Sequence, residues 1–441
     1  MIIIKEAYKE IQQYLGEQNY KENDTFHTSV FVIKESTSTG DLLYNTFTGE
    51  IVLTNSFDDM QILKKKWYYI SNEYDEFVVL EKFRKQLIDS DNNTAISTYT
   101  IFPTTDCNAK CFYCFEDGRS KKNMNKETAM IVAAYIEKNH KNEKVNIRWF
   151  GGEPLVNQMA IDTICKSLNE KSIKFSSKMA TNGFLFSQKS IEKACHSWNL
   201  NQVQITIDGT EVEYNRIKRY RCSHKISPFQ KVLKNIELLT SNGIYVTIRL
   251  NIDLNNISDQ INLVSNILLT RFKKNKFISI YSHLLLDSLK GGNTQDHKQL
   301  FEQKDKLDNL LYENSFSCHT KTSTKFKLHR CISDNKKSVT ILPDGNIGLC
   351  EHFSEDHFVS DIRSSKPFDP NEIVFLRTRL PKLELCSDCS FYPFCIRLEC
   401  CPDFGGCFYE LKKHNIRNLH RELLSEFNIY LNKIATTSNS E

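Results

Sequence analysis

The chain has 441 residues, of which 40% are apolar and 25% charged, and a formal charge of +4. That length exceeds one ordinary core and suggests roughly two to four domains, and the composition is that of a folded globular protein. The small net charge gives no reason to expect nucleic acid or a membrane surface as partner, and no apolar run approaches the roughly 20 residues that span a bilayer.

The N-terminus, MIIIKEAYKE, returns to charge after a short isoleucine run, too short for the apolar core of a secretory signal. A cytosolic protein is expected. Residues 1–95 contain no cysteine or proline. SVFVIKE and GEIVLT read as short strands with GDLLYNTFTGE making turns between them. ILKKKWYYI and EYDEFVVLEKFRKQLI have helical apolar spacing. This is the pattern of a small α/β accessory domain, and SDNNTA, near 90–95, reads as a linker.

From about residue 98 strand-like and helical runs alternate: TYTIFPTT, KETAMIVAAYIEKN, KVNIRWFGGEP, MAIDTICKSLNE, IKFSSKMATNG, QKSIEKACHSW, NQVQITIDG, PFQKVLKNIELLTSNG, YVTIRLNID, QINLVSNILLTRF and FISIYSHLL. Repeated βα alternation predicts a parallel sheet with covering helices. About six strands, short of the eight of a closed barrel, predict a partial (β/α)6 barrel over 98–310. Residues 290–325 read as a connecting helix and loop, 326–407 as cysteine-rich and loop-rich, and LKKHNIRNLHRELLSEFNIYLNKI as a C-terminal helix before a polar tail.

Fifteen cysteines are many for the cytosol, where clustered cysteines are metal ligands or catalytic groups more often than disulfides. Cys165, Cys195, Cys222 and Cys318 stand singly and read as small buried hydrophobes. Cys107, Cys111 and Cys114 lie in TTDCNAKCFYCFE, after a strand. Three thiolates on one short loop bind three irons of a [4Fe–4S] cluster and leave the fourth iron open. Zinc asks for four protein ligands, and the nearest following candidate, His140, lies in a helical region.

This loop resembles the CxxxCxΦC motif of the radical S-adenosylmethionine (SAM) superfamily, with Tyr113 at Φ. The resemblance implies that the open iron is chelated by SAM, whose reductive cleavage gives methionine and a 5′-deoxyadenosyl radical that takes a hydrogen atom from substrate. Later motifs follow in the family's order. WFGGEP resembles the GGEP motif, which assigns Gly151, Gly152, Glu153 and Pro154 to the methionyl amino group. TNG (Thr181, Asn182, Gly183) closes the next strand. ITIDG resembles the strand whose hydroxyl residue and Asp–Gly turn lie near the ribose and methionyl carboxylate, which implies that role for Thr206 and Asp208, with threonine where serine is more usual. Arg249 and Asn251, in TIRLNID, match residues that approach the SAM carboxylate.

In the second cysteine field Cys386 and Cys389 form a CxxC pair with Cys395 six positions on, a spacing that suits zinc and iron–sulfur sites equally. With Cys331, and Gly345 before Cys350, it resembles the SPASM extension of radical SAM maturases over about 326–410. That resemblance implies two auxiliary [4Fe–4S] clusters, one on Cys331, Cys350 and Cys400 or Cys401, the other on Cys386, Cys389, Cys395 and Cys407. The chain departs from the pattern: four residues separate Cys395 from Cys400, where three are usual, and ISDNKKS offers no cysteine soon after Cys331. The first auxiliary cluster is therefore left an open iron, to be filled by Cys318, Cys401, His352 or a substrate thiolate. Glu351, directly after Cys350, stands where related sulfatase maturases have a catalytic base; as a bare residue it reads equally as a solvated glutamate.

LLYNTFTGEIVL resembles the start of maturases of ribosomally made, post-translationally modified peptides, some of which bind a leader peptide as an added strand; a stabilising cap on the barrel is the alternative. The resemblance implies a peptide maturase that installs a thioether, ether or carbon–carbon crosslink in a precursor peptide and draws electrons from a small redox protein. Two other readings stay open: a sulfatase maturase making formylglycine, and a non-catalytic iron–sulfur protein that docks peptides.

Overall fold

The computed structural model describes residues 1–55, 57–90, 95–114, 116–221, 226–285, 294–316, 325–326, 331–332, 337–352, 358–364, 383–395 and 407–438. The N-terminal region runs β1 (Ile2–Lys5), α1 (Lys9–Tyr14), β2 (Phe26–Thr28), β3 (Val32–Thr37), β4 (Gly40–Asn45), β5 (Ile51–Thr54), α2 (Met60–Lys65), β6 (Tyr69–Ser71) and α3 (Glu76–Ser90). β1, β5, β4 and β3 form an antiparallel sheet in that order, and β2 pairs with β6.

Two expectations are corrected here. GDLLYN is a strand, not a turn. Leu42 and Tyr44 pack into one apolar cluster and Leu43 into another, so both faces are buried and the apolar–polar alternation that marks a half-buried strand is missing. The turn proper is Asn45–Glu50, where Asn45 Oδ1 accepts from Phe47 N at 3.0 Å and Thr48 N at 3.1 Å. Gly49, at φ +77°, lies against the Tyr8 ring, where a Cβ would come within 2.3 Å of it. ILKKKWYYI is also split: the helix ends at Lys65, Trp67 turns the chain at φ +65°, and Tyr69–Ser71 is a strand.

The central region continues with β7 (Thr98–Ile101), α4 (Lys126–Asn139), β8 (Val145–Trp149), α5 (Gln158–Glu170), β9 (Phe175–Thr181), α6 (Gln188–His196), β10 (Leu200–Thr206), α7 (Glu211–Lys218), α8 (Pro228–Ser241), β11 (Tyr245–Ile252), α9 (Ile257–Leu263), α10 (Leu269–Phe272), β12 (Ile278–Leu284) and α11 (Thr294–Glu313). β7 to β12 are the six expected strands, each parallel to the next in chain order. The helix starts follow from local chemistry. Asn125 and Asn157 accept from Thr128 N and Ala160 N, and Ser187 with Ser190 forms a capping box.

The C-terminal part supplies β13 (Ser338–Ile341), β14 (Asn346–Gly348), β15 (Ser360–Asp361) and α12 (Tyr409–Ser438). It was expected to be loop-rich, yet β13 pairs in parallel with β7, so the sheet runs β12-β11-β10-β9-β8-β7-β13-β14-β15. The fold is α/β with a mostly parallel sheet. SVTI is too short to show a period, and its burial comes from β7, more than two hundred positions away. α12 does not sit apart either: Leu419, Leu423 and Phe427 cover Ile33, Leu42, Tyr44, Ile51 and Leu53 of the N-terminal sheet.

One face of the central sheet is the apolar core, where Ile101, Ile147, Trp149, Met179, Val203, Ile205, Ile248 and Ile280 meet the helices. Alternate residues on the other face are polar: Thr100, Arg148, Lys178, Gln204, Thr206, Arg249 and Tyr281. Parallel strands covered on both faces read as continuous apolar runs; this sheet instead presents a polar surface beside its C-terminal strand ends. Among the described residues no helix is long and apolar enough to cross a membrane.

Candidate active site

The cysteine loop leaves the C-terminal end of β7 and is pinned by its own backbone. Lys110 N donates to Lys218 O at 2.8 Å, Arg221 N to Asn108 O at 3.0 Å, and Glu153 N to Asp106 O at 2.9 Å. The two glycines of GGEP serve this contact. At Gly151, φ +116°, a Cβ would lie 2.2 Å from Thr104 O, and at Gly152 one would lie 2.3 Å from Asp106 O. Their freedom brings the end of β8 against the cysteine loop itself, not only against a ligand.

Pro154 opens a 3-10 turn over Pro154–Asn157, and Glu153 caps it, accepting from Leu155 N at 3.1 Å. The same buried carboxylate accepts from Thr181 Oγ1 at 2.7 Å and Asn182 N at 2.8 Å. Burial raises its pKa, and these donors oppose the rise. Three donors on a carboxylate with about four acceptor positions leave room for one more. Asn182 Nδ2 donates to Asn108 Oδ1 at 2.7 Å and lies 3.9 Å from Cys107 Sγ. Asn108 Nδ2 is buried with no partner, an open donor of the kind a ligand carboxylate satisfies.

Asp208 is closed off from the other side. Its Oδ2 takes Tyr113 OH at 2.7 Å and the Lys218 ammonium at 2.7 Å, its Oδ1 takes Asn251 Nδ2 at 3.2 Å, and Arg249 Nε donates to Asn251 Oδ1 at 2.9 Å. Burial works to lower the Lys218 pKa, but Asp208 and its other neighbours hold it well above the usual value. This chain ties the Φ tyrosine to the ends of β10 and β11. Thr206 stands beside Arg249 in register. Lys218 and Asn108 were missed from sequence: Lys218 sits in a charged helix with no motif around it, and Asn108 is hidden by the cysteines it separates.

Burial pushes the Cys107 thiol up to about 12 and raises Cys111 and Cys114 too, so ligation here releases protons. The three thiols do not belong to any group of donors lying within 4.8 Å of one another; among the described residues Asp305, Asp308 and His414 alone do so. Three thiolates on one loop are the donor set of a cluster that keeps one iron without a protein ligand, whereas a closed zinc site asks for four. The Asp305 group is an ion-pair network with Lys304, Arg417 and Arg421.

In the second field Cys386 and Cys389 are buried, with Cys389 N donating to Cys386 O at 3.2 Å. Burial raises the Cys389 pKa, and the proximity of Cys407 and Cys386 adds to the rise. Cys331, Cys350, Cys395 and Cys407 are partly buried. His352 N donates to Cys350 Sγ at 3.2 Å. Cys400, Cys401, Cys318 and Cys222 lie outside the described residues. Glu351 is not a solvated glutamate: its Oε1 lies 3.5 Å from the Arg148 guanidinium on β8, and its Oε2 is buried without a partner.

Residues 101–260 match the family model described as the Radical SAM superfamily. The chain is 32% identical over 119 residues to a probable GTP 3′,8-cyclase of Methanococcus vannielii, covering 26% of this chain and 37% of that one. It is 28% identical over 196 residues to the radical SAM cyclopropyl synthase TigE of Paramaledivibacter caminithermalis, covering 41% of this chain and 40% of that one. The matches thus span about two fifths of these curated relatives. Streptococcus suis SuiB, solved bound to the precursor peptide SuiA, shares the fold with a TM-score of 0.52 at 14% identity, over 87% of this chain and 96% of that one. Residues 101–260 are thus a radical SAM domain, of the superfamily whose enzymes use SAM and a [4Fe–4S] cluster to catalyse radical reactions.

Proposed function

We propose that this chain is a radical SAM peptide maturase that removes a hydrogen atom from a residue of a ribosomally made precursor peptide and installs an intrapeptide crosslink, the second proton leaving to a base and the second electron to an auxiliary cluster that would accept it. The observation that carries the radical chemistry is the Cys107–Cys111–Cys114 loop, locked against GGEP, TNG and the IDG turn at the C-terminal strand ends. When bound there, the cluster and SAM supply a carbon-centred radical able to break a substrate C–H bond. Cys107, Cys111 and Cys114 hold three irons, and Glu153 with Asn108 and Asn182 holds the amino acid end of SAM. Tyr113, Asp208 and Asn251 brace the loop, and Arg249 and Thr206 line the polar face next to it. Fixed donors already in place reduce the ordering needed on binding.

The peptide part of the reading rests on the open polar face and on the separate N-terminal sheet, whose edges are β1 and β3. An edge strand can take a leader peptide as a further strand, and SuiB, similar over most of its length, was solved with a precursor peptide. In this reading 1–95 is the leader-binding domain, 98–310 the radical domain, 326–410 the auxiliary-cluster domain and 411–441 the C-terminal helix and tail. A small redox protein is the electron donor, and Glu351, held by Arg148, is the base candidate beside Cys350.

The test is co-expression with any short open reading frame found beside this gene, with peptide mass and 5′-deoxyadenosine as readouts. A peptide lighter by two hydrogens with stoichiometric 5′-deoxyadenosine is expected; an unchanged peptide with active SAM cleavage sinks the substrate assignment. Anaerobic assay should find about twelve irons per chain for three cubanes; about four irons together with zinc would remove the auxiliary clusters.

A further inference from the structure

The polar face of the central sheet has two unlike halves. Over β10–β12 its groups satisfy one another: Gln202 Nε2 donates to Thr247 Oγ1 at 3.0 Å, and Tyr281 OH to Gln204 Oε1 at 3.0 Å. Over β13, β7, β8 and β9 they do not. Thr340 and Thr100 stand side by side in register, and the hydroxyls of both are buried without a partner, as is that of Ser338 two positions along. Native proteins rarely leave such groups unpaired, and several together point to something absent that pairs them.

The same register row continues into charge. Thr100 is beside Arg148, and Arg148 is beside Lys178. Two cations on adjacent strands of one face repel. Among the described residues Arg148 is offset by Glu351, at 3.5 Å. Lys178 is exposed and has no carboxylate partner among the described residues. The row thus offers a guanidinium and an ammonium, beside the buried hydroxyls of Thr100 and Thr340, with a net positive charge after Glu351 is counted.

We propose that Arg148 and Lys178, flanked by Thr100 and Thr340, form a subsite that binds a carboxylate of the substrate peptide and sets which residue is presented to the cysteine loop. This rests on the peptide reading of the function and narrows it to acidic peptides. A planar carboxylate suits the guanidinium fork, with the ammonium as a point charge beside it. The carboxylate comes from an Asp or Glu side chain or from the peptide's C-terminus.

The probes are three fluorescently labelled heptapeptides: one with a central Glu and an amidated C-terminus, one with Gln there and a free C-terminus, and one with Gln and an amide. Their affinities for the full chain are compared at low and high salt. At low salt the carboxylate peptide should bind roughly tenfold to a hundredfold more tightly than the uncharged one, as charge-assisted hydrogen bonds would give, and salt should narrow the gap. Which charged peptide wins tells side chain from terminus.

Lys178→Gln and Arg148→Gln should each cut the preference by about tenfold. The exposed Lys178 can be replaced without moving the unfolding midpoint, which guards against a folding artefact. Equal binding of all three peptides, or a preference that survives both substitutions, overturns the subsite. The two ideas fail separately: a peptide modified without any acidic preference removes the subsite alone, and an acidic preference with no modified peptide removes the maturase reading alone.

Discussion

The two cysteine fields are held in different ways. Cys107, Cys111 and Cys114 lie on a loop fastened to three neighbouring strand ends, and the fastening uses buried, paired polar groups: Glu153 to Thr181 and Asn182, and Asp208 to Tyr113 and Lys218. The second field has short 3-10 turns at Glu384–Cys386 and Tyr392–Phe394 in place of long strands. Its anchors come from the other end of the chain. Thr46 Oγ1 donates to Ser390 O at 2.7 Å, Arg84 to Pro393 O at 3.1 Å, and Tyr392 lies parallel to Phe31 and meets Phe77 edge-on. The first loop is thus built into the sheet, while the described part of the second field takes its anchors from the N-terminal region.

The largest expected effect tests the first half of that contrast. Lys218→Met leaves the buried Asp208 without its counter-charge, with only the neutral donors Tyr113 and Asn251, and should cost about 3–5 kcal/mol in urea unfolding, with Asp208→Asn in the same chain restoring much of it. A cost below about 1 kcal/mol would mean that this pair is not what braces the loop. Next, Leu423→Ala opens a cavity between α12 and the N-terminal sheet and should cost about 2–5 kcal/mol. Hydrogen exchange should then rise in 32–54 and not in 98–284; a uniform rise would erase the distinction between the regions. Gly151→Ala forces a Cβ toward Thr104 O and should strain the loop by about 1–3 kcal/mol, read as iron lost from the reconstituted protein while the second field keeps its own.

A smaller effect is pH-dependent. Burial lowers the Lys5 pKa to about 8, against pull from Glu426 and Glu422 on α12, and its ammonium has no hydrogen-bond partner. The unfolded chain therefore binds this proton more readily, so the penalty is full below about 8 and disappears as pH rises toward 10.5. Lys5→Met should stabilise the N-terminal region at neutral pH and lose that advantage at alkaline pH; an advantage independent of pH would assign the effect to packing. Smallest of all, Glu35→Gln removes the 2.6 Å contact with His420 on α12 and should change stability by at most about 1 kcal/mol, since both groups are partly solvated.

Much of the first site was legible because its residues are consecutive. CNAKCFYC and GGEP each fit on one loop, and the βα alternation places them at strand ends. Lys218 was not legible, because its meaning lies in reaching Asp208 and Tyr113 from a helix that otherwise looks like a solvated surface. Glu351 was legible as a position and not as a contact: its neighbour Arg148 is on another strand. The second field was legible as ligand types and not as a set, since grouping cysteines about clusters depends on loop paths that spacing does not specify.

From sequence alone, local and periodic features were determined: the six parallel strands, the cysteine loop at the end of the first of them, and the C-terminal helix, each set by spacing within a few residues or turns. Tertiary structure decided what depends on distant partners. It made GDLLYN a strand by burying both faces, joined β13 to β7, laid α12 over the N-terminal sheet, and gathered Thr340, Thr100, Arg148 and Lys178 into one row. The physical reason is that burial and hydrogen-bond satisfaction are properties of the whole packing, and a residue's own neighbours in sequence do not contain them.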